Sequence, residues 1–190
     1  MVSQERNETN FDVLPGPGTL VALRALRGDQ RQFGGIVGTL CNVAEFVRRM
    51  RVQARFGNLS RARLHLVRLE LRGATADCEW VARTSDEWDE HLPALVRERN
   101  FSLQALEDAI AIRGLLLQTL PSLDRASLLV YRRLVNKSVE LIVKGHISRK
   151  DEPPASVRSL LMRAKLYGFH FWLEDGTLKP FQTGEFAING

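Results

Sequence analysis

Apolar residues recur at every third or fourth position in three long segments of this chain, and that spacing is typical of one face of an α-helix. These segments cover residues 35–56, 102–120 and 153–167. The second segment is apolar over a broad arc, so we expect it to form the central helix of the fold. A shorter segment, residues 20–27, predicts one further short helix that Gly28 would end.

Between the helical segments, apolar and polar residues alternate, which is the pattern of strands with one buried face. Residues 63–72 and 74–83 are the first pair of such segments, and Gly73 supplies a turn between them. The alternation changes phase near Val67, which indicates either a β-bulge or a strand covered on both faces. This part of the chain therefore predicts a β-hairpin.

The second half of the chain predicts further strands. Residues 126–135 and 138–147 alternate and flank a short polar turn, which predicts a second hairpin. Residues 169–173 alternate into a fifth strand. The dipeptide Asp175-Gly176 is a strong hairpin signal, so residues 177–182 are expected to pair back.

Hairpins joined by helices predict an α+β fold. We expect an antiparallel sheet of two or three β-hairpins, with three long helices packed mainly on one face. Two hairpin-then-helix units begin at Arg63 and Ala126, an order that also allows a duplicated ββα unit. A doubly wound parallel sheet would need single strands alternating with helices, and the pattern does not show that order.

The length of 190 residues suits one domain with a short extension. Residues 1–18 are polar and end in Pro-Gly-Pro-Gly, so they predict a flexible arm, and residues 19–190 predict a single α+β domain. We find no signal-peptide pattern and no apolar run long enough for a membrane span. The two cysteines, Cys41 and Cys78, show no metal spacing and are expected to be small core residues of a soluble cytoplasmic protein.

The chain is basic, with 27 Lys and Arg against 22 Asp and Glu, and Arg provides 22 of the 27 cations. Arginine at this frequency suits bidentate contacts with phosphates, but it also reflects the codon usage of a GC-rich genome. Residues 31–72 carry nine Arg and two Glu, whereas residues 73–98 carry seven carboxylates and two Arg. The basic region therefore pairs either with the acidic region or with an external anion.

The basic region places a stripe of arginines on the first long helix. Arg48, Arg51 and Arg55 fall within an arc of roughly 60° at 100° per residue, and Arg61 and Arg63 follow in the next connection. Such a stripe can contact the phosphate backbone of a nucleic acid. No helix-turn-helix, RNA-recognition or zinc-finger signature accompanies it, and few aromatic residues for base stacking lie near it. Nucleic-acid binding is therefore an alternative function.

Protein interaction is the function that the sequence favours. Exposed Arg, Trp and Tyr residues dominate the energetics of interfaces, and Trp88, Trp172 and Tyr131 are the candidate anchors. Trp172 has the opposite parity to Phe171 and Leu173, so it would leave the core face of its strand. Regions of opposite charge also suit self-association. We therefore expect a module that binds a protein partner or a second copy of itself.

A small enzyme with a pocket on the open face of the sheet is the remaining alternative, with Glu79, His146, His170 and Glu174 as candidates to line the pocket. The sequence holds no phosphate-binding glycine loop, no nucleophile-elbow motif and no metalloprotease motif. The four His residues show no metal-ligand spacing, so we expect neither a metal nor a cofactor. These features favour binding over catalysis.

Overall fold

The computed structural model describes residues 20–23, 33–53, 62–84, 87–153 and 156–181 of the chain. The predicted arm, residues 1–18, lies outside these residues. Within them the chain forms eight strands, three α-helices and one 3-10 helix. In chain order they are β1 (Leu20–Leu23), α1 (Phe33–Gln53), β2 (His65–Arg72), β3 (Thr75–Val81), the 3-10 helix (Glu87–His91), α2 (Ala94–Thr119), β4 (Arg125–Arg133), β5 (Val139–Ser148), α3 (Leu160–Leu166), β6 (Phe169–His170), β7 (Trp172–Glu174) and β8 (Thr177–Lys179).

Six strands form one mixed sheet in the order β1-β2-β3-β4-β5-β6, and β7 and β8 form a separate two-stranded sheet. Strand β1 is parallel to β2 and β3 is parallel to β4, whereas the other neighbours are antiparallel. The α+β class is confirmed, but the prediction of a purely antiparallel sheet is wrong. The duplicated ββα unit stays a prediction.

The parallel pairs follow from the length of the connecting helices. Helix α2 has 26 residues, and at 1.5 Å per residue it is about 39 Å long. Strand β3 has seven residues, so α2 is long enough to return the chain to the end of the sheet where β3 began. The next strand therefore starts at that end and runs parallel to β3. Helix α1 connects β1 to β2 in the same way.

The first predicted hairpin is confirmed in detail. Strands β2 and β3 are antiparallel and are joined through Gly73, whose φ of 61° is accessible to glycine at little cost. The pairing register shifts between Leu66 and Arg68, so the β-bulge predicted near Val67 is present. The second predicted hairpin, β4–β5, is also antiparallel, with a register shift of its own between Val130 and Tyr131.

The predicted fifth strand, residues 169–173, is divided between two sheets. Its first part, β6, pairs with β5 at the edge of the main sheet, and its second part, β7, pairs with β8. Asp175 and Gly176 both have left-handed φ values, 52° and 77°, as a tight two-residue hairpin turn requires. The turn is therefore where the sequence predicted it, but the hairpin that it makes lies outside the main sheet.

The helices differ from the prediction mainly where they begin. Residues Leu20–Leu23 form strand β1, so the short helix predicted over residues 20–27 is wrong in the part described. Helix α2 begins at Ala94, eight residues earlier than predicted, because Pro93 is compatible with the start of a helix.

Helix α3 spans only seven residues, so the prediction of a third long helix over residues 153–167 is also wrong. It begins at Leu160 because the Ser159 hydroxyl accepts a hydrogen bond from the backbone N–H of Met162 at 3.4 Å. A serine in this role is a typical N-terminal helix cap.

Helix α2 lies between α1 and α3 and also contacts β4 and β8, so it is the central helix of the fold. Its apolar face packs with the inner residues of the sheet in one hydrophobic core that includes Phe46, Trp80, Leu128 and Phe169. Cys78 lies in this core, and burial raises the pKa of its thiol.

Two arginines attach α2 to its surroundings. The Arg83 Nε donates to the Asp108 carboxylate at 2.7 Å, and this ion pair is buried. Arg149 donates to the backbone carbonyls of Leu117 and Leu120 at 2.8 and 2.9 Å. Carbonyls at the end of a helix have no partner within the helix, so Arg149 satisfies groups that would otherwise be unpaired.

Candidate functional site

The outer face of the main sheet is the face turned away from the hydrophobic core, and alternate residues of β2 to β6 point to it. The strand register aligns these residues in rows across the sheet. Toward β2 the rows contain cations and carboxylates together, whereas toward β6 they contain cations and histidines. One row consists of Arg68, Glu79, Leu129, Lys144 and His170, and its neighbour consists of Glu70, Asp77, Ser127 and His146.

The β2–β3 side of the outer face is an ion-pair network. Glu70 accepts hydrogen bonds from Arg72, at 2.8 Å, and from Arg68, and these bonds lower its pKa to about 2. Arg68 also donates to Glu79 at 3.1 Å, and the Tyr131 hydroxyl donates to the same carboxylate at 3.3 Å. Burial, with the nearby Glu79 carboxylate, raises the pKa of Tyr131 to about 12. The arginines, the carboxylates and the tyrosine of this network therefore bond to one another.

The β5–β6 side of the outer face opens into a cavity of about 930 Å³ beside the β7–β8 hairpin. We call it the lysine-aromatic cavity, because cationic and aromatic side chains together form its walls. Lysines come from three different elements, β5, α3 and β8, and most of the aromatic residues come from β6, β7 and the residues that flank them. The lining includes Lys144, Lys165, Lys179, Phe169, His170, Phe171, Trp172 and Phe181.

Two of the lysines lie over aromatic rings. The Lys144 Nζ is 4.8 Å from the ring centroid of Phe181, and the Lys165 Nζ is 5.8 Å from that of Phe171. Both distances are within the range of cation–π attraction. Trp172 is 69% exposed, so most of its indole surface is free to contact a ligand.

The cavity carries an excess of positive charge. Among the described residues that line the cavity, one carries a carboxylate, Glu174. Glu174 forms an ion pair with Lys179 at 3.3 Å. Lys144 and Lys165 have no carboxylate partner in the part of the chain that the structure describes. The cavity is therefore suited to an anionic ligand with a planar group.

The hairpin that forms one wall of the cavity is fixed by bonds to the central helix and to β5. The Arg99 Nε donates to the Asp175 carbonyl at 2.7 Å, and the Ser102 hydroxyl accepts from the backbone N–H of Leu178 at 2.8 Å. Just beyond β8, the backbone N–H of Phe181 donates to the Leu141 carbonyl at 2.9 Å. These bonds hold Trp172 and Lys179 in place relative to the main sheet.

The arginine stripe is only partly available for an external anion. Arg48 is exposed, but its guanidinium donates two hydrogen bonds of 2.7 Å to Glu45, and Arg49 contacts the same carboxylate. These bonds, that of Arg48 first, lower the pKa of Glu45 to about 2. Arg51 and Arg63 are exposed. Arg55 and Arg61 lie outside the described residues.

Part of the basic region pairs with the acidic region that follows it. Arg68 contacts Glu79 at 3.1 Å, and Arg72 contacts Asp77 at 3.5 Å. Both pairs connect β2 to β3, because the hairpin places the two regions on adjacent strands. The opposite local charges of the sequence therefore neutralise each other in part within the sheet.

The three predicted interface anchors lie in different surroundings. Trp172 is exposed, as its parity indicated, and contributes to the lysine-aromatic cavity. Tyr131 is half-buried and its hydroxyl donates to Glu79. Trp88 lies in the 3-10 helix, but its side chain is outside the described part of the structure.

The candidate enzyme residues do not come together as one cluster. His170 and Glu174 line the lysine-aromatic cavity, whereas His146 lines a second cavity and Glu79 belongs to the ion-pair network. Among the described residues, no group of three or more His, Cys, Asp and Glu side chains is placed to hold a metal ion. Cys41, expected in the core, is exposed.

The lysines of the cavity were missed by reasoning from the sequence, which concentrated on arginine. A signal was present, since all five Lys of the chain lie between residues 137 and 179, and five of its aromatic residues lie between residues 167 and 181. The periodicity alone did not show that β5, α3 and β8 would direct three of those lysines toward one cavity.

Comparisons of the chain with protein-family models, with curated proteins and with solved structures found no match. No helix in the described part of the chain combines the length and apolarity that crossing a membrane requires.

Proposed function

We propose that this protein binds single-stranded nucleic acid through the lysine-aromatic cavity. The observation that supports the proposal is the combination of unpaired lysines with an exposed tryptophan in one cavity of about 930 Å³. Proteins that bind single strands without strong sequence preference use this combination, because cations contact phosphates while aromatic faces stack on bases. It also supplies the aromatic residues that the arginine stripe lacks.

The phosphate contacts would come from Lys144 and Lys165. Both are held over aromatic rings at 4.8 and 5.8 Å, so each ammonium group has a defined position without being neutralised by a carboxylate. Lysine binds phosphate as a point charge, which suits an irregular single-stranded backbone. Each phosphate contact in a single strand contributes about −0.7 to the slope of log K against log salt.

The base contact would come from Trp172. The residue is 69% exposed, so stacking on its indole would remove a large apolar surface from water. Stacking of one base on an aromatic side chain contributes about 1–3 kcal/mol. Replacing Trp172 by Ala is therefore expected to weaken binding by about 5- to 150-fold.

The experiment that tests the proposal is fluorescence anisotropy of labelled oligothymidylate and of a labelled duplex, each titrated at low and at physiological salt. The variant Lys144→Gln/Lys165→Gln removes two charges from the cavity, and Arg48→Gln/Arg51→Gln is a matched control that removes two from the stripe. We expect the lysine variant to bind the single strand more weakly and to reduce the salt slope by about 1.4.

Three outcomes would contradict the proposal. Wild-type protein that does not bind the single strand even at low salt overturns nucleic-acid binding by this chain. Loss of binding in the arginine variant, with normal binding in the lysine variant, would place the phosphate contacts on α1. A preference for the duplex would also contradict it, because stacked and paired bases do not offer their faces to Trp172.

A second candidate function, a module for protein interaction or assembly, is supported by a group of exposed apolar residues. Leu95 and Val96 on α2 and Val135 and Val139 at the tip of the β4–β5 hairpin are exposed. An ion pair between Arg132 and Glu98, at 3.2 Å, connects these two elements. Sedimentation equilibrium tests self-association, and a concentration-dependent dimer that Val135→Ser abolishes would favour this function.

Both candidate functions are compatible with the cytoplasmic location that the sequence predicts. An enzymatic role has less support, because Glu79 is held by Arg68 and Tyr131, while His170 and His146 line different cavities. General acid–base chemistry requires such groups to converge on one reacting atom.

A further inference from the structure

Strand β5 contributes residues both to the lysine-aromatic cavity and to a second cavity. The second cavity, of about 440 Å³, lies over the ends of β3, β4 and β5 and includes Arg125, Ser127 and His146 in its lining. His146 follows Lys144 by two residues on β5, so both side chains point to the same face. Strand β5 therefore presents one residue of each cavity on the same face of the sheet.

In the lining of the second cavity lie two polar side chains, Arg125 and His146, for which the described residues show no ion pair. Both residues are exposed. The carboxylate in the lining of the second cavity, Asp77, is paired with Arg72 at 3.5 Å. Arg125 is opposite Ser148 in the strand register. From strand geometry, Arg125 lies about 14 Å from Lys144.

We propose that a single strand of nucleic acid leaves the lysine-aromatic cavity along β5 and continues across the outer face of the sheet to Arg125. This inference rests on the proposed function and adds the direction and extent of the binding site. The Arg125 guanidinium contacts a backbone phosphate, and the Ser127 hydroxyl and the His146 imidazole lie beside the path between the two cavities. A ligand that fills only the first cavity does not reach Arg125.

The test compares a thymidine dinucleotide with an oligothymidylate of about twelve nucleotides, a length within the range of known single-strand sites. Both are titrated against wild-type protein and Arg125→Gln by fluorescence anisotropy. Arg133→Gln is the matched control, since Arg133 is exposed at the opposite end of the same strand. We expect Arg125→Gln to weaken binding of the longer oligonucleotide about three- to tenfold, to lower its salt slope by about 0.7, and to leave dinucleotide binding unchanged.

Failure of this inference is distinguishable from failure of the proposed function. If the dinucleotide binds but the longer oligonucleotide binds no more tightly, or Arg125→Gln has no effect on it, the path across the sheet is wrong and the cavity remains. If neither ligand binds, both proposals are wrong. His146→Gln provides a second variant on the same path, and circular dichroism verifies that each variant is folded.

Discussion

Gly145 lies on β5 between Lys144 and His146, opposite Phe169 of β6 in the sheet register. A Cβ atom at this glycine would lie 2.6 Å from Cδ1 and 2.8 Å from Cε1 of the Phe169 ring. Favourable contacts between carbon atoms are about 3.5–4.0 Å, so the new methyl group would be about 1 Å too close. Phe169 is 2% exposed and packs in the core, so its ring cannot move aside into solvent.

We therefore expect Gly145→Ala to destabilise the protein. Overpacking of a core costs about 1–3 kcal/mol, and the lower entropy of the unfolded alanine chain offsets about 0.4–1 kcal/mol of this. The net loss of about 1–2 kcal/mol corresponds to a fall in Tm of about 2–8 °C for a chain of this size. Urea unfolding followed by circular dichroism measures the free energy of unfolding directly.

Gly114→Ala is the matched control for this prediction. Gly114 is exposed on α2, and no atom lies within 4 Å of the Cβ that alanine would add. In a helix this change is expected to stabilise the protein by about 0.5–1 kcal/mol. In a Phe169→Ala background, Gly145→Ala should no longer lower the free energy of unfolding, because the ring that it would contact is absent. A Gly145→Ala variant as stable as wild type would refute the close packing of Phe169 on β5.

Three further predictions concern the polar groups that hold the fold. Asp108→Asn removes the carboxylate that neutralises the buried Arg83, and urea unfolding should show a loss of about 3–5 kcal/mol; a loss below 1 kcal/mol would contradict the burial of the pair. Arg149→Met removes the donor to carbonyls at the end of α2 and should cost about 1–3 kcal/mol in the same assay, whereas an unchanged midpoint would show that water replaces it. The pKa of Tyr131 is raised to about 12, from about 10 in an unfolded chain, so ionisation of its hydroxyl favours unfolding and the free energy of unfolding should fall as pH rises between these values. A Tyr131→Phe variant should lose that part of the fall. A variant with the same pH profile of stability as wild type would contradict the raised pKa.

Much of the fold follows from local patterns in the sequence. The alternation around Val67 predicted both the strand and its bulge, and Asp175-Gly176 predicted the turn of the last hairpin. These features depend on residues within a few positions of one another. The parallel pairing of β3 with β4 does not, because it depends on where the 26 residues of α2 return the chain.

The candidate site was harder to predict for the same reason. Trp172 was recognised as exposed from its parity within β7. Lys144, Lys165 and Lys179 belong to three elements that meet only in the folded chain, so no spacing in the sequence connects them. The arginine stripe could be recognised from its regular spacing, but the spacing did not show that Glu45 pairs with Arg48 on the same helix.

The measurement that tests the central claim most directly is quenching of tryptophan fluorescence by an unlabelled oligothymidylate. Trp80 is fully buried, whereas Trp172 is exposed in the proposed site. We predict quenching in wild-type protein that Trp172→Phe removes, with anisotropy showing that binding persists because phenylalanine still stacks on a base. Equal quenching in the Trp172→Phe variant, or binding without any quenching in wild type, would place the bases away from the lysine-aromatic cavity.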